Sequence, residues 1–352
     1  MRHRAHVGVT LVTGGTGLIG GEVILALARR GEAVRAVVRA ASAAHARERL
    51  VERLEKSDSY SAQLLPRIGV VAGDTVQPLF GLDSASLAGV RRVVHAAANT
   101  QFSQRHDEQV WNTNVCGASR LIEVAQALPR GARVLFISTA SVTTAPERSC
   151  IDENAPFAGH ANTYSRSKRQ AEAIIRESGL DIVIVRPSIV LSRGVRDRAM
   201  ARSILWAVPI MSEIGDVPVD ADACVDLVPV DYAANAIAQL ALAPSLDHRL
   251  YHVSAGRDAC TFRELREAVI ARHPELERIR PVGRGRGASI RARTRLLRPL
   301  DAYLPFINAG VRYANDRFVS ESGEAAPSAI TYVPDLVGLI TLREAMDEMY
   351  QP

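Results

Sequence analysis

Two residues in the stretch ANTYSRSKRQAE carry groups that can move a proton, and they are Tyr164 and Lys168. The stretch has the pattern of an α-helix, in which side chains four residues apart lie on one face. An ammonium next to a phenol favours the phenolate, so we expect the lysine to lower the pKa of the tyrosine towards neutral pH. The spacing therefore predicts a proton-transfer pair.

Lysine is scarce in this chain, which sets Lys168 apart. The sequence has 43 lysines and arginines together, and only Lys56 and Lys168 are lysines. Arginine keeps its charge in a bulkier planar head, whereas the compact lysine ammonium sits on a flexible stem and shifts its pKa readily. We interpret position 168 as one that requires an ammonium; chance placement on a helix surface is the alternative.

Hydroxyl side chains follow the preceding predicted strand, ARVLFIS, at Ser138 and Thr139. Ligands of open α/β sheets bind at the carboxyl ends of the strands. A hydroxyl there can hold a substrate oxygen beside the tyrosine, and we expect Ser138 to contact substrate in this way. The alternative is that both residues only cap the strand.

Three spaced glycines separate the first predicted strand from the first predicted helix in VTLVTGGTGLIGGEVILALARRG. Their GxxGxxG spacing allows a tight turn and a close approach of the backbone to a pyrophosphate, and the following helix offers free N–H groups to phosphates. A purely structural turn is the alternative. We predict a dinucleotide-binding loop made of Gly14, Thr16, Gly17, Leu18, Ile19 and Gly20.

Arginine closes the second predicted strand, AVRAVVR, at Arg39. An acidic residue at this place holds the ribose hydroxyls of NAD, whereas arginine suits the 2′-phosphate of NADP. Arg49 lies ten residues later and can assist, so we predict NADP(H) as the cofactor; a role of Arg39 in capping the strand is the alternative. The predicted cofactor site is completed by Asp74 near the adenine, by Ala97 and Pro187, and by Lys168 at the nicotinamide ribose.

Short apolar runs alternate with helical stretches up to about residue 190, which predicts an α/β fold with a buried parallel sheet. We expect a Rossmann-type doubly wound parallel sheet with a smaller C-terminal substrate lobe. The NADP-binding domain would comprise residues 1–190, with 225–256 returning to it. The substrate-binding lobe would comprise residues 191–224 and 257–352.

The composition is that of a globular protein, with 47% hydrophobic and 23% charged residues among 352. No apolar run is long enough to predict a transmembrane helix. Four scattered cysteines without CxxC spacing indicate free thiols in a reducing, cytoplasmic compartment and no metal site. A net charge of +5 favours acidic partners, but the sequence contains no nucleic-acid-binding motif.

Motifs in the first 190 residues resemble, in their order, those of the extended short-chain dehydrogenase/reductase family. They are TGGTGLIG (13–20), GD (73–74), VVHAAA (93–98), NTNVCGASRL (112–121), ISTASV (137–142), YSRSK (164–168) and VRPSIV (185–190). The resemblance implies that Thr139, Tyr164 and Lys168 are catalytic. It further implies that Asn114 orders a proton-relay water.

Three further segments resemble the branch of that family that contains fatty acyl-CoA reductases and carrier-protein thioester reductases. They are HAAANTQFSQ (95–104), DACVDLVPVDYAANAI (222–237) and YLPFINAGVRYANDRF (303–318). The resemblance implies an NADPH-dependent enzyme that reduces an acyl thioester, bound to coenzyme A or to a carrier protein, to an aldehyde or an alcohol. Within the first segment, Phe102 is the predicted substrate contact.

Other functions stay open from the sequence. An NADP-dependent carbonyl reductase or hydroxysteroid-type dehydrogenase for a bulky apolar substrate would use the same residues. A sugar-nucleotide epimerase is disfavoured because ISTASV runs into Thr143 and Thr144, where those enzymes usually have a valine–tyrosine–glycine turn. A non-catalytic NADP-sensing regulator is disfavoured because such proteins commonly lack the tyrosine or the lysine.

A basic segment, RIRPVGRGRGASIRARTRLLR (278–298), carries eight arginines and no acidic residue. We expect it to receive an acidic acyl carrier protein, the phosphates of coenzyme A or an anionic membrane surface. The apolar run LLRPLDAYLPFI (296–307) can add a peripheral membrane contact or line an acyl pocket, and a solvated helix followed by ordinary core is the alternative. Because the first predicted strand begins so early in the chain, we expect the acyl donor to be met in trans.

Overall fold

The computed structural model describes residues 8–101, 106–143, 149–156, 162–193, 204–293, 300–301, 303–338 and 341–344. The strands, in chain order, are β1 (Val9–Thr13), β2 (Ala33–Val38), β3 (Ile68–Ala72), β4 (Val90–His95), β5 (Arg133–Ile137), β6 (Cys150–Ile151), β7 (Ile182–Pro187), β8 (Ile189–Leu191), β9 (Asp216–Val217), β10 (Cys224–Val225), β11 (Leu227–Pro229), β12 (Leu250–Val253), β13 (Cys260–Thr261), β14 (Arg280–Pro281) and β15 (Arg312–Tyr313).

The α-helices of the described residues are α1 (Leu18–Arg29), α2 (Ala43–Leu54), α3 (Ser84–Leu87), α4 (Asp107–Trp111), α5 (Gly117–Ala127), α6 (Thr163–Glu177), α7 (Ala207–Ile214), α8 (Val230–Leu242), α9 (Phe262–Arg272), α10 (Gly287–Arg293), α11 (Leu304–Ala309), α12 (Asp316–Ser322) and α13 (Val333–Val337). A turn of π-helix (Asn112–Cys116) connects α4 to α5.

Seven parallel strands form the main sheet, in the order β12-β7-β5-β4-β1-β2-β3. The chain runs outward from β1 to β3 and then returns to place β4 on the other side of β1. Ligands of open α/β sheets bind at such a reversal of strand order, beyond the carboxyl ends of the strands. The predicted doubly wound Rossmann-type sheet is confirmed.

Helices cover both faces of this sheet, which explains why its strands are apolar on both sides. One face packs against α1, α2 and α8, where Leu25, Leu50 and Ile237 are fully buried. The other face packs against α5 and α6, where Leu121 and Ala171 are fully buried. The two layers hold α6 and the loop before α1 at fixed places along the carboxyl edge of the sheet.

A second apolar cluster lies in the part of the chain that follows β7. It gathers buried residues of α7, α9, α11 and α13, among them Ile210, Val269, Ile307 and Leu336. The parallel pairing of β8 with β11 connects this cluster to the end of β7. The sequence-based domain boundaries stay a prediction.

Among the described residues, no helix combines the length and the apolar character needed to cross a bilayer. The same residues also contain no group of three or more histidine, cysteine or acidic residues that could hold a metal ion. All four cysteines are free thiols.

Asp226 is a buried residue whose hydrogen bonds connect the segment after β12 and the strand β15. Its carboxylate accepts the backbone N–H groups of Ala255 (2.8 Å) and Tyr313 (3.1 Å), and its own carbonyl accepts the N–H of Ile189 (3.3 Å). The residue is 4% exposed. Burial raises the pKa of its carboxyl from the ordinary value of 3.8 to about 6, although these hydrogen bonds oppose the change.

We expect Asp226→Asn to remove a pH dependence of stability. The folded state holds the Asp226 proton more tightly than the unfolded state, so the contribution of Asp226 to the free energy of unfolding falls as the pH rises from about 4 to about 6. Asparagine cannot ionise and lacks this slope. Urea unfolding across this pH range measures it, with Asp58→Asn at an exposed position as the control. Parallel curves for Asp226→Asn and wild type would contradict the raised pKa.

Candidate active site

Tyr164 and Lys168 lie in the first turns of α6, as the sequence predicts. The helix begins after Asn162, whose side chain accepts the N–H of Ser165 at 2.7 Å and so caps the first turn. Lys168 is 1% exposed, and Tyr164 is half-buried. The cap and the burial fix both side chains against the carboxyl edge of the sheet.

Thr139 brings the end of β5 to the phenol. Its hydroxyl hydrogen-bonds the Tyr164 side chain and lies 3.0 Å from Ser141 Oγ. Ser141 Oγ lies in turn 3.0 Å from Ser165 Oγ, so a chain of hydroxyls connects β5 to α6. Ser138 Oγ is buried and has no hydrogen-bond partner among the described residues, which leaves it available to a ligand.

The expected lowering of the tyrosine pKa is wrong. Burial raises the pKa of Tyr164 to about 12, and the hydrogen bond from Thr139 only partly opposes this. The lysine does not counter it, because its ammonium points to the end of β5, where it donates to the carbonyl oxygen of Ile137 at 2.6 Å. At neutral pH the phenol is therefore a proton donor and not a base.

Lys168 is held in a dry environment that disfavours its charge. Burial lowers the pKa of its ammonium to about 7, and the carboxylate of Glu172, one turn further along α6, opposes this. Glu172 is already engaged by Arg186, whose Nη2 lies 2.6 Å from Oε2. The lysine is thus divided between ammonium and amine near neutral pH.

Three stacked aromatic rings lie next to the Lys168 ammonium. Lys168 Nζ lies 4.1 Å from the centroid of the Phe136 ring, a distance at which a cation is attracted to the ring face. His95 stacks on Phe136 with centroids 5.9 Å apart, and Phe80 stacks on His95 at 5.4 Å. Burial, and then the charge of Lys168, lower the pKa of His95 to about 3, so the imidazole between the two phenyl rings is neutral. We call Phe80, His95 and Phe136 the aromatic column.

The backbone at Phe80 is shaped for this stacking. Leu79 and Phe80 have φ values of 50° and 60°, in the left-handed region that side chains other than glycine rarely adopt. Such a conformation persists only where the surroundings enforce it. The Phe80 ring is fully buried on His95, and its backbone N–H and C=O groups are bonded to Gln77 and Asp74.

Asn114 lies in the π-helical turn beside α6, and its amide group is fully engaged. Oδ1 accepts the N–H of Asn99 at 2.8 Å, while Nδ2 donates to the carbonyl of Asn99 at 2.9 Å and to Ser167 Oγ at 2.8 Å. The Asn114 side chain therefore links the loop after β4 to Ser167 of α6, which is three residues after Tyr164. Its role in a proton relay stays a prediction.

The glycine loop fits a dinucleotide. Gly14 has φ 74°, and a Cβ atom there would lie 2.6 Å from the backbone of Ala96; a Cβ at Gly20 would lie 2.2 Å from the Gly14 carbonyl oxygen. Gly17 precedes α1 as its N-cap and offers no side-chain cap, and Thr16 and Gly17 are exposed. The first N–H groups of α1 therefore face outward over a tightly folded loop, which suits a pyrophosphate.

The other predicted cofactor residues lie along the same edge of the sheet. Arg39 follows β2 and is exposed, and the Arg49 guanidinium donates to its carbonyl oxygen. Asp74 follows β3 and accepts the N–H of Val76 with its own carboxylate at 3.2 Å. Ala97 follows β4, where its N–H donates to Thr13 Oγ1, and Pro187 ends β7. Phe102 lies outside the described residues.

The sequence reasoning missed the residues that support the pair. Phe136 and Arg186 reach the site from β5 and β7, and Ser141 and Ser165 complete the hydroxyl chain. Among the residues that support the pair, Glu172 could have been found from the sequence, because it lies one helical turn after Lys168.

A protein-family model described as "Male sterility protein" matches residues 12–237, which is well over half of this chain. The match covers the glycine loop, β5, α6 and the segment around Asp226.

Two curated proteins show what the chain is similar to. It is 26% identical over 266 residues to "Nonribosomal peptide synthetase asaC" of Aspergillus flavus, covering 70% of this chain and 26% of that protein. It is 27% identical over 272 residues to "Putative fatty acyl-CoA reductase CG8303" of Drosophila melanogaster, covering 64% of this chain and 50% of that protein. The chain thus spans about a quarter and a half of their respective lengths.

A similar solved structure is that of a thiolation-reductase di-domain from an archaeal non-ribosomal peptide synthetase. The superposition has a TM-score of 0.75 at 19% identity and covers 97% of this chain and 76% of that one. At this identity the likeness concerns the fold alone.

We expect Phe136→Leu to lower the pKa of Lys168 further. Leucine fills the space but offers no ring face to the cation, and a desolvated contact of this kind is worth about one pH unit. His95 and Tyr164, which also face the ammonium, each keep one protonation state near neutral pH, because their pKa values are about 3 and about 12.

The chain makes this measurement simple because it has only two lysines. Protein labelled with ¹³C at lysine Cε gives two titrating NMR signals, and Lys56 is the internal reference. Phe318→Leu, at a fully buried ring that packs on Tyr232, is the matched control. An unchanged Lys168 midpoint in Phe136→Leu would rule out support of the charge by the ring.

Proposed function

The chain belongs to the male sterility protein family, in the fatty acyl-CoA reductase and thioester reductase-like branch of the extended short-chain dehydrogenases/reductases, and from this membership we propose that it reduces acyl thioesters with NADPH. The family assignment made from the motifs is confirmed. One observation carries the proposal beyond the family. A protonated phenol, Tyr164, is hydrogen-bonded to Thr139 at the carboxyl edge of the sheet and lies one helical turn from the buried Lys168.

The site is arranged to protonate a carbonyl oxygen as it is reduced. Thr139 and Tyr164 would hold the thioester oxygen and stabilise the negative charge that develops on it. Bound NADPH would supply the hydride that adds to the carbonyl carbon. Tyr164 then gives its proton to the oxygen. Its pKa of about 12 means that the phenol carries this proton at neutral pH. The C–S bond of the resulting hemithioacetal breaks, and an aldehyde and a thiol leave.

Lys168 would hold the nicotinamide ribose and return a proton to Tyr164. Its pKa of about 7 means that ammonium and amine are both populated, so the group can give and regain a proton. Ser138 Oγ, buried beside Thr139, would contact the substrate. Reduction of the aldehyde to an alcohol would use the same groups in a second round.

Arginine at the end of β2 supports NADPH as the reductant. Arg39 is exposed beyond the strand, and the Arg49 guanidinium on α2 donates to its backbone carbonyl oxygen, so Arg49 lies beside Arg39 where the adenine ribose would bind. A 2′-phosphate at this place would gain charge-assisted hydrogen bonds that a plain ribose hydroxyl cannot make.

An acyl carrier protein is the acyl donor that we propose. The similar solved structure joins a reductase to a thiolation domain. In this chain Arg278 and Arg280 of the basic segment 278–298 form ion pairs with Glu213 and Asp216, and both guanidinium groups are exposed. Ion pairs near the surface are worth little, so the carboxylates of an acidic partner can take the place of Glu213 and Asp216.

Tyr164→Phe tests the proposed reaction. We expect wild-type protein to oxidise NADPH, followed by absorbance, when a long-chain acyl-CoA is added. Loss of the general acid should reduce this rate about 10²- to 10⁴-fold and leave NADPH binding intact. Tyr232→Phe is the matched control, because its hydroxyl is buried and has no hydrogen-bond partner among the described residues. Reduction of the matching aldehyde but not of the thioester would replace the proposal with a carbonyl reductase.

Arg39→Ala tests the cofactor. We expect the preference for NADPH over NADH, measured as the ratio of their dissociation constants, to fall about 10- to 100-fold, because a charge-assisted contact to the phosphate is lost. Arg29→Ala at the last residue of α1, the end remote from the glycine loop, should leave the ratio unchanged. A ratio that is equal in Arg39→Ala and wild type would show that NADP selectivity does not come from this arginine.

A further inference from the structure

The hydroxyl chain between β5 and α6 reaches solvent at Ser141. Thr139 is 9% exposed and Ser165 is fully buried, whereas Ser141, whose Oγ lies 3.0 Å from the hydroxyl oxygen of each, is half-buried. Thr139 in turn hydrogen-bonds the side chain of Tyr164. A continuous line of hydroxyl groups therefore connects the surface at Ser141 to the phenol.

The Tyr164–Lys168 pair needs a supply of protons from solvent. Each carbonyl reduction consumes one proton, and a substrate oxygen held at Tyr164 would cover the open side of this half-buried phenol. Lys168 can return one proton to the phenol, but it is 1% exposed, and its ammonium contacts the carbonyl of Ile137 and the Phe136 ring. The pair must therefore regain its proton by a route other than direct contact with water.

The hydrogen bonds of Thr139 are arranged to pass a proton towards the phenol. Its Oγ1 accepts the backbone N–H of Ser141 at 3.3 Å and lies 3.0 Å from Ser141 Oγ. A threonine hydroxyl has two lone pairs and one hydrogen. When Ser141 donates its hydroxyl hydrogen as well, both lone pairs of Thr139 are taken, and its own hydrogen is left for Tyr164.

Asn114, to which the family resemblance gives a role in a proton relay, has no side-chain hydrogen to spare. Both hydrogens of Nδ2 are donated, one to the carbonyl of Asn99 and one to Ser167 Oγ. Oδ1 accepts the N–H of Asn99. A relay through this side chain would have to break one of these bonds, whereas the hydroxyl chain can act with all of them intact.

We propose that Ser141 is the residue at which the proton consumed in each turnover enters the site, and that the proton reaches Tyr164 through Thr139. The inference rests on the proposed function, in which Tyr164 protonates the substrate oxygen. Thr139 then gives its hydroxyl hydrogen to the phenolate oxygen, Ser141 gives its own to Thr139 Oγ1, and solvent gives a proton to Ser141. The three transfers occur together, so that no hydroxyl is left as an alkoxide, and their sum is one proton taken from solvent.

Ser141→Ala tests the relay. We expect kcat for NADPH oxidation with a long-chain acyl-CoA to fall about 10- to 100-fold, because proton delivery then limits the rate. KM for the thioester should stay unchanged, and the solvent isotope effect on kcat, measured in H2O and D2O, should be larger than in wild type. Ser141→Thr keeps a hydroxyl and should restore most of the rate. Imidazole, a small proton carrier, should accelerate Ser141→Ala and not wild type.

Thr143→Val is the matched control. It removes a buried hydroxyl from the same turn, one that donates to the carbonyl of Ala140 at 3.0 Å and lies outside the relay. This variant should keep the kcat and the isotope effect of wild type. Equal kcat and isotope effect in Ser141→Ala and wild type would overturn the relay. A loss of rate that neither Ser141→Thr nor imidazole restores would show a structural role instead.

The phenolic proton of Tyr164 reports the relay without turnover. In protein labelled with ¹³C at tyrosine Cζ, a slowly exchanging hydroxyl gives two NMR signals in mixed H2O and D2O, and a rapidly exchanging one gives a single averaged signal. The complex with NADP⁺ and the acyl-CoA holds no hydride to transfer. There we expect one Tyr164 signal, assigned by its absence in Tyr164→Phe, for wild type and two for Ser141→Ala.

This measurement separates the relay from the proposed function. If wild type reduces no carbonyl compound but the two proteins differ in this way, the relay holds and the proposed reaction fails. If both proteins give the same Tyr164 pattern, the relay is wrong, whether or not the thioester is reduced.

Discussion

A buried ion pair between Arg186 of β7 and Glu172 of α6 is the constraint on which the site depends. Arg186 Nε and Nη2 lie 2.9 Å and 2.6 Å from the two carboxylate oxygens, and neither side chain is more than 1% exposed. Separating two such charges would take from each its main partner in a dry interior, which is far more costly than the pair itself is favourable. The helix can therefore neither slide nor rotate against the sheet. Because Glu172 is one turn from Lys168, the pair fixes how the phenol and the ammonium meet β5.

Local sequence patterns were sufficient to predict the strands of the main sheet, the glycine loop and the helix that carries Tyr164 and Lys168. Apolar runs of five or six residues marked the strands, and the spacing of three glycines marked the turn into α1. The YxxxK spacing placed Tyr164 and Lys168 on one face of α6. The carboxyl ends of parallel strands meet at one edge, so the predicted site residues were bound to gather there once the sheet was recognised.

Features that depend on contacts distant in the chain could not be predicted. The aromatic column joins residues 80, 95 and 136, and no periodicity connects them. The pKa of Tyr164 was predicted in the wrong direction because burial of the phenol raises it, and the lysine ammonium expected to lower it points instead to the carbonyl of Ile137 and the Phe136 ring. Asp226 lay inside a recognised motif, yet its bonds to Ala255 and Tyr313 could be seen only in the folded chain.

The three hydrogen bonds of the Asn114 amide restrict which amino acids this position can hold. One end of the group accepts from a backbone N–H, and the other donates both to the backbone carbonyl of the same residue and to a serine hydroxyl. Aspartate has nearly the same shape but no hydrogen to donate, and glutamine carries the amide one methylene too far. Leucine or alanine would leave the backbone of Asn99 unbonded in a partly buried loop. The position has therefore almost no freedom to drift in sequence, even in a descendant that had given up catalysis but kept this fold.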